Sequence, residues 1–248
     1  MPPSPRAPMT VTPGSAFGAA WRRRLDASPR EEAATAFGVG RGDALVVVVA
    51  HPDDETLAMG AALARMARDG VRVHVLVGSR GEAALDHVGA EAPGLGERRS
   101  AEMRAATRAL GVASAEVLGL PDGSLGEHGD ALRDAAESVV RAHGAARVAT
   151  LWREDPHPDH RAVSVAAARA ADRTGAGLIE LGLWSSHWTD PTGVRATVVP
   201  LCSDLTSREA RAAAIACYRS QTEPLLAGLE AVLPPAVLAF PHEYVVRP

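Results

Sequence analysis

Two short stretches concentrate the residue types that do chemistry. His51-Pro52-Asp53-Asp54-Glu55 sets one imidazole beside three carboxylates, and His157-Pro158-Asp159-His160 sets two imidazoles around a fourth. Crowded carboxylates repel one another and acquire raised pKa values unless a cation neutralises them, which a divalent metal does. Two imidazoles and a carboxylate with one coordination position open form the ligand set of a catalytic zinc, which acidifies water and polarises a carbonyl. His51, His160 and one aspartate are therefore the expected ligands, and spacing alone does not choose between Asp53 and Asp54. In the competing reading, residues 53–55 only cap a helix and favour its positive end. That leaves His51 without a task.

The stretches must be held by elements that place them together. Residues 44–50, ALVVVVA, form a β-branched run of the kind buried on both faces of a parallel sheet. A helix over 56–69, ended by Gly70, and a strand over 71–77 complete one strand-helix-strand unit. Further helices are expected over 99–110, 132–143 and 207–219. Strands are expected over 115–118, 147–152 and 178–183, with an edge strand over 194–199. The fold class is α/β, three-layer and Rossmann-like, a mostly parallel sheet flanked by helices. Both histidine stretches then follow a strand and open a helix, on the carboxyl edge where such sheets bind ligands. Residues 41–248 form a single domain. Residues 1–40 are an N-terminal extension, disordered over the first fifteen, with a short helix over 19–27 whose arginines 22–24 are solvated. The glycine-rich loop 78–96 is long enough to form a mobile rim.

Composition removes several alternatives. The 248 residues contain 26 cationic side chains, every one an arginine, which excludes Schiff-base lysines, pyridoxal anchors and phosphate-loop lysines. Asparagine is absent too, so no Asn-bearing triad is available. A net charge of -4 offers no general attraction to nucleic acid or anionic membrane. No segment reads as a signal peptide or a membrane span. Cys202 and Cys217 lack metal-binding neighbours and suit a reducing compartment, so a cytoplasmic protein is expected. The stretch 77–81, VGSRG, lacks the first glycine of a serine-hydrolase elbow. HPDDE stands where a dinucleotide fold needs its glycines.

With both motifs in hand, the chain resembles the PIG-L/LmbE-like zinc-dependent N-deacetylases, marked by A-H-P-D-D-E after the first strand and H-x-x-H after a later one. The likeness runs over residues 43–246 and includes Gly81-Glu82, Arg99, Glu102, Leu120-Pro121-Asp122-Gly123 and Ser220-Gln221. It departs at Ala83, where glycine is common, and at Ala214, whose upstream counterpart often offers a lysine. The resemblance implies one zinc per chain held by His51, Asp54 and His160. It implies Asp53 as general base and a protonated His157 that steadies the oxyanion or assists the leaving amine. Glu55 reads as a helix-start or supporting residue, and Asp159 either orients a histidine or caps the helix.

The implied reaction removes an N-acetyl group from an aminosugar or an aminosugar-containing small metabolite. The alternatives are an amidase acting on a non-sugar or thiol-sugar conjugate and a noncatalytic metal- or sugar-binding protein. Arg99 and Asp122 are candidate substrate contacts by resemblance. Trp184 and His187 in WSSHW are candidates because aromatic faces beside polar groups suit a sugar ring, although both tryptophans could instead close the core. His74, His87, His128 and His143 read as structural or surface residues, and His242-Glu243-Tyr244 stays outside the catalytic set. The expected partner is a small N-acylated aminosugar or conjugate, and a homo-oligomer is compatible with the composition.

Overall fold

The run ALVVVV forms β1 (Ala44–Val49), buried at every residue, as a strand must be when helices cover both faces of its sheet. It lies inside a seven-stranded sheet in a computed structural model that describes residues 16–247. The other strands are β2 (Arg72–Ser79), β3 (Ser114–Leu120), β4 (Arg147–Leu151), β5 (Gly177–Leu181), β6 (Thr197–Pro200) and β7 (Tyr244–Arg247). Their order is β3-β2-β1-β4-β5-β7-β6. β1 to β5 pair in parallel, and β7 runs against both β5 and β6. The expected three-layer, mostly parallel α/β class is the observed one.

The helices are α1 (Gly18–Asp26), α2 (Ala33–Phe37), α3 (Asp54–Arg68), α4 (Leu95–Ala109), α5 (Gly129–His143), α6 (Pro158–Thr174), α7 (Ser185–Trp188), α8 (Leu205–Cys217), α9 (Arg219–Thr222) and α10 (Pro235–Leu238). Helices α3 and α4 start earlier than periodicity suggests, because their first turns carry acidic or glycine residues outside the apolar pattern. The loop after β2 is correspondingly shorter and contains a turn of 3-10 helix at Asp86–Val88. The elements α2 and β7 were not expected, since five and four residues are too few to show a period. β6 is the edge strand expected over 194–199.

Strand order reverses between β1 and β4: β2 and β3 lie on one side of β1, β4 and β5 on the other. A crevice opens at such a reversal, outside the carboxyl ends of the two strands. The loops after β1 and β4 carry the two histidine motifs, so the topology alone brings them face to face.

Residues 16–40 are docked on the domain, and the expected disorder of the first fifteen lies outside the described residues. Trp21 and Leu25 of α1 are buried with Trp152, Phe240 and Tyr244, while Phe37 of α2 joins the main core. The ring of Tyr244 lies over Gly182, where a Cβ would sit 2.0 Å from its hydroxyl. Arg22 and Arg23 are exposed as expected. Arg24 is not merely solvated, because it donates to the carbonyls of Pro191, Val194 and Ala196.

Helix α3 breaks at Met59 (φ −151°, ψ 16°). A break frees backbone donors beyond it and acceptors before it. Glu243 accepts from the freed N–H groups of Ala61 and Ala62 at 2.7 and 2.9 Å. Arg211 donates to the carbonyls of Thr56 and Leu57 at 3.3 and 3.0 Å. Arg211 Nε also lies 3.1 Å from Glu243 Oε1, so one ion pair splints both sides of the break. The first turn of α3, with Asp54 and Glu55, is thereby set at its own angle. Glu243→Ala should cost about 3 kcal/mol of stability in urea denaturation, from two buried donors and an unpaired arginine. A loss below about 0.5 kcal/mol would show that the break is held by other contacts.

Candidate metal centre and active site

Past β1 the chain turns sharply through His51-Pro52-Asp53. Asp53 has φ 116°, the only positive φ among described non-glycine residues, a conformation costing about 1–3 kcal/mol. Its N–H donates to Glu55 Oε2 at 3.2 Å, and its carbonyl accepts from Thr56 and Leu57. Glu55 is itself gripped by the hydroxyls of Thr56 and Tyr218. The Asp53 carboxylate makes no cap bond to the helix. It faces Arg99 Nη2 at 3.1 Å, so the plain helix-cap reading does not describe this residue.

His160 comes from the other loop. Pro158 occupies the first turn of α6, where its missing N–H costs nothing. His160 heads the buried stripe His160, Val163, Ala167, Ala170, so helical periodicity turns it inward. His51, Asp54 and His160 bring ligand atoms within 4.8 Å of one another, all three residues buried. Asp54 Oδ1 stands 3.2 Å from His160 Nε2, and Asp54 Oδ2 stands 3.5 Å from His51 Nδ1. Neither ring nitrogen of buried His160 has an aligned hydrogen-bond partner. A buried imidazole nitrogen aimed at a carboxylate without a proper hydrogen bond suits a shared cation, so the trio fits a divalent metal. His51, His157 and Asp159 form a second, overlapping group, but His157 Nδ1 there accepts the N–H of Asp159 as the cap of α6. The fully buried trio is the better cage.

Carboxylates hold the outer side of the cluster. His51 Nε2 lies 3.0 Å from Asp122 Oδ1 and 3.3 Å from Asp159 Oδ2, partners that orient a ligating imidazole. Asp122 also accepts from the N–H of Ala83, and Asp159 from those of Gly123 and Leu125. Asp159 thus orients a histidine and also anchors the loop after β3. Arg99 heads the apolar stripe Arg99, Met103, Ala106 of α4 and donates to the carbonyls of Pro52 and Gly81 besides Asp53. Gly81 has φ 68°, and a Cβ there would meet Arg99 Nη1 at 2.3 Å, so glycine is required. Glu102, one turn further along α4, accepts from the N–H and the hydroxyl of Ser220 in α9.

The electrostatics follow from this packing. Burial pushes Asp53 up to about 7 despite the pull of Arg99. Burial would raise Asp54 as well, but His160 and His51 hold it well below the usual carboxylate range. Burial works against a charged His51, yet the hydrogen bonds its ring donates to Asp122, Asp159 and Asp54 lift it well above its ordinary value. Burial opposes charge on His160 too, and Asp54 and Asp155 outweigh it to bring that ring to about 9. His157 moves the other way: burial, with His160 and His51 nearby, drives it down to about 2. In the metal-free chain this packing opposes the protonated form of His157. The ring is neutral at pH 7, with Nδ1 committed as an acceptor and Nε2–H left as the donor.

The four expected substrate contacts separate. Arg99 and Asp122 join the cluster, touching Asp53 and His51. Trp184 is half-buried and stacks on Trp188, ring centres 4.4 Å apart and 9° from parallel. His187 is 1% exposed and lies edge-on to Phe240, which leaves it little surface for a ligand. His242 faces Asp26, and Tyr244 stacks on Trp21. Sequence reasoning missed Asp155, Tyr218 and Arg211. Asp155 had a signal, a carboxylate two residues before a metal motif.

An α/β sheet whose reversal point carries a buried His/Asp/His cluster defines a protein with a candidate metal centre on its carboxyl edge. The chain belongs to the PIG-L family, described as GlcNAc-PI de-N-acetylase, which matches residues 46–171, from β1 into α6. It is 31% identical over 134 residues to a probable N-acetyl-alpha-D-glucosaminyl L-malate deacetylase 2 of Bacillus cereus, covering 52% of this chain and 61% of that protein. It is 36% identical over 178 residues to a 1D-myo-inositol 2-acetamido-2-deoxy-alpha-D-glucopyranoside deacetylase of Rhodococcus erythropolis, covering 58% and 60%. The chain thus spans about 60% of the length of these curated relatives. The crystal structure of an A40926 pseudoaglycone deacetylase shares the fold, with a TM-score of 0.64 and 23% identity over 82% of this chain and 94% of that one.

Metal binding and protonation compete for the same imidazoles. With His160 near 9 and His51 raised, both rings are charged at pH 7 in the metal-free protein and must lose protons to ligate. Metal affinity should rise between pH 6 and 9, by about tenfold per pH unit for each proton displaced. Calorimetric titration with zinc in buffers of different ionisation enthalpy should show proton release. A buffer-independent enthalpy would mean that the rings were already neutral.

Proposed function

We propose that this chain is a zinc-dependent hydrolase that removes an N-acetyl group from an aminosugar or a small aminosugar conjugate. The carrying observation is the convergence of His51, Asp54 and His160 beside the strained, buried Asp53. A zinc ion held by that trio would supply an acidified water and a polarised amide carbonyl.

The chain's own residues do the rest. Asp53, fixed by Arg99 and by the grip of Glu55 on its N–H, takes the proton of the attacking water. Its φ of 116° aims the carboxylate out of the helix axis into the crevice. His157, the most exposed of the three motif histidines, offers Nε2–H to the negative charge that develops on the carbonyl oxygen. A neutral donor serves here, while the proton that Asp53 takes from the water passes on to the leaving nitrogen and restores the carboxylate. Asp122 and Asp159 keep His51 in one orientation throughout.

The substrate class rests on the relatives. Both curated ones are named for a 2-acetamido glucose unit joined to a small polar group, which supports an N-acetylglucosamine conjugate here. The half-buried Trp184 on the neighbouring strand end supports a ring-shaped ligand. The free cysteines Cys202 and Cys217 support a reducing, cytoplasmic setting.

Mass spectrometry of zinc-loaded protein incubated with N-acetylated aminosugars and their conjugates should show a loss of about 42 Da that zinc removal abolishes. Binding without acyl loss across the panel would favour a noncatalytic role. Asp53→Ala should retain one zinc per chain and lose at least about 100-fold in turnover. Normal turnover in that variant would exclude Asp53 as the base.

A further inference from the structure

We propose that Asp155 is a positioning residue for the centre, fixing the imidazole of His160 and joining the two loops behind it; this rests on the metal reading above. Asp155 is 0% exposed and lies in the loop between β4 and α6, outside both histidine motifs. Its Oδ1 stands 3.1 Å from His160 Nδ1 and accepts the N–H of His157 at 3.1 Å. Its Oδ2 accepts the N–H of Ser185 at 3.2 Å. One carboxylate therefore stands within ion-pair distance of the ring of one candidate ligand and accepts from the backbone of the candidate oxyanion donor and from the start of α7 beyond β5.

The arrangement divides the two faces of His160. Nε2 looks toward Asp54 and the cluster, and Nδ1 looks toward Asp155. A ligating imidazole needs its other nitrogen held by an acceptor, which sets the tautomer and the ring angle and raises the basicity of the ligating nitrogen. Asp155 is the only acidic residue within ion-pair distance of Nδ1 among the described residues. Its own position is braced from the far side. Ser185 Oγ and Tyr244 Oη are 3.0 Å apart, and the Tyr244 ring stacks on Trp21 at 5.4 Å. The N-terminal helix α1 thus stands behind the wall that carries the metal-facing imidazole. Asp155 reaches no solvent, so it orients groups and does not touch substrate.

The test is the zinc dissociation constant at pH 7.5, measured by competition with a chromophoric chelator, with the visible spectrum of the cobalt-substituted protein as a second readout. Asp155→Asn keeps the volume and an acceptor but removes the charge, and Asp155→Ser guards against a variant that fails to fold. Both should bind zinc about 10–100-fold more weakly than the parent chain. Their cobalt bands should shift, and KM should stay near the parent value. Tyr244→Phe, which removes the Ser185 contact but leaves Asp155 in place, should lower the melting temperature and leave zinc affinity unchanged. Zinc affinity within twofold of the parent in the Asp155 variants, with unaltered cobalt bands, would overturn the assignment. A parent chain that takes up no zinc would overturn the metal reading itself, and Asp155 with it.

Discussion

The structure depends on burying negative charge at one edge of a sheet without leaving any of it unpaired. Asp53, Asp54, Glu55, Asp155 and Asp159 are all buried there, and an uncompensated buried carboxylate costs several kcal/mol. Each has a specific answer: Arg99 for Asp53, two imidazoles for Asp54, Tyr218 for Glu55, loop amides for Asp159, and the His160 ring with two amides for Asp155. The answers come from different elements. Satisfying the charges therefore locks the loops after β1, β3, β4 and β5 into one arrangement, and local neutrality becomes a device for fixing geometry.

That requirement explains why the acidic motif is held in strain. A relaxed turn would let Asp53 cap α3 as an ordinary N-cap residue does. The Glu55 and Tyr218 contacts and the separately angled first turn keep the carboxylate pointed at Arg99 instead. The Met59 break and the Arg211–Glu243 splint serve the same end from the far side of the helix. The proposed general base and one candidate ligand share a turn that the rest of α3 does not dictate.

Much of this was legible in the sequence, for identifiable reasons. The valine run of β1, the glycine after α3 and the strand-to-helix placement of both histidine motifs follow from periodicity and turn chemistry, and with them the sheet and its reversal point. The candidate ligands were legible as a group because they lie in two contiguous stretches. Tyr218, Arg211 and Glu243 were not, since their roles rest on contacts across more than 150 positions, which no local pattern records; Asp155 had a local signal in its place just before the second motif, but its contact with Ser185 left no such mark. His157 was placed but its charge is not written in the motif: the sequence shows a histidine, while only packing shows it buried beside two others raised by carboxylates. The short α2 and β7 escaped because a period needs length.

Strand β7 carries one more consequence. It is the seventh strand in chain order yet lies between β5 and β6, and β6 has no other strand neighbour among the described residues. The residue before it, Glu243, splints the helix that begins at Asp54. During synthesis, β1 to β5 can pair as they emerge, but the far edge of the sheet and the angle of the metal-motif helix wait for residues 243–247. On this topology the edge that carries the candidate centre is completed after the scaffold it stands on, and a chain halted before that point would carry the metal-motif residues without their final geometry.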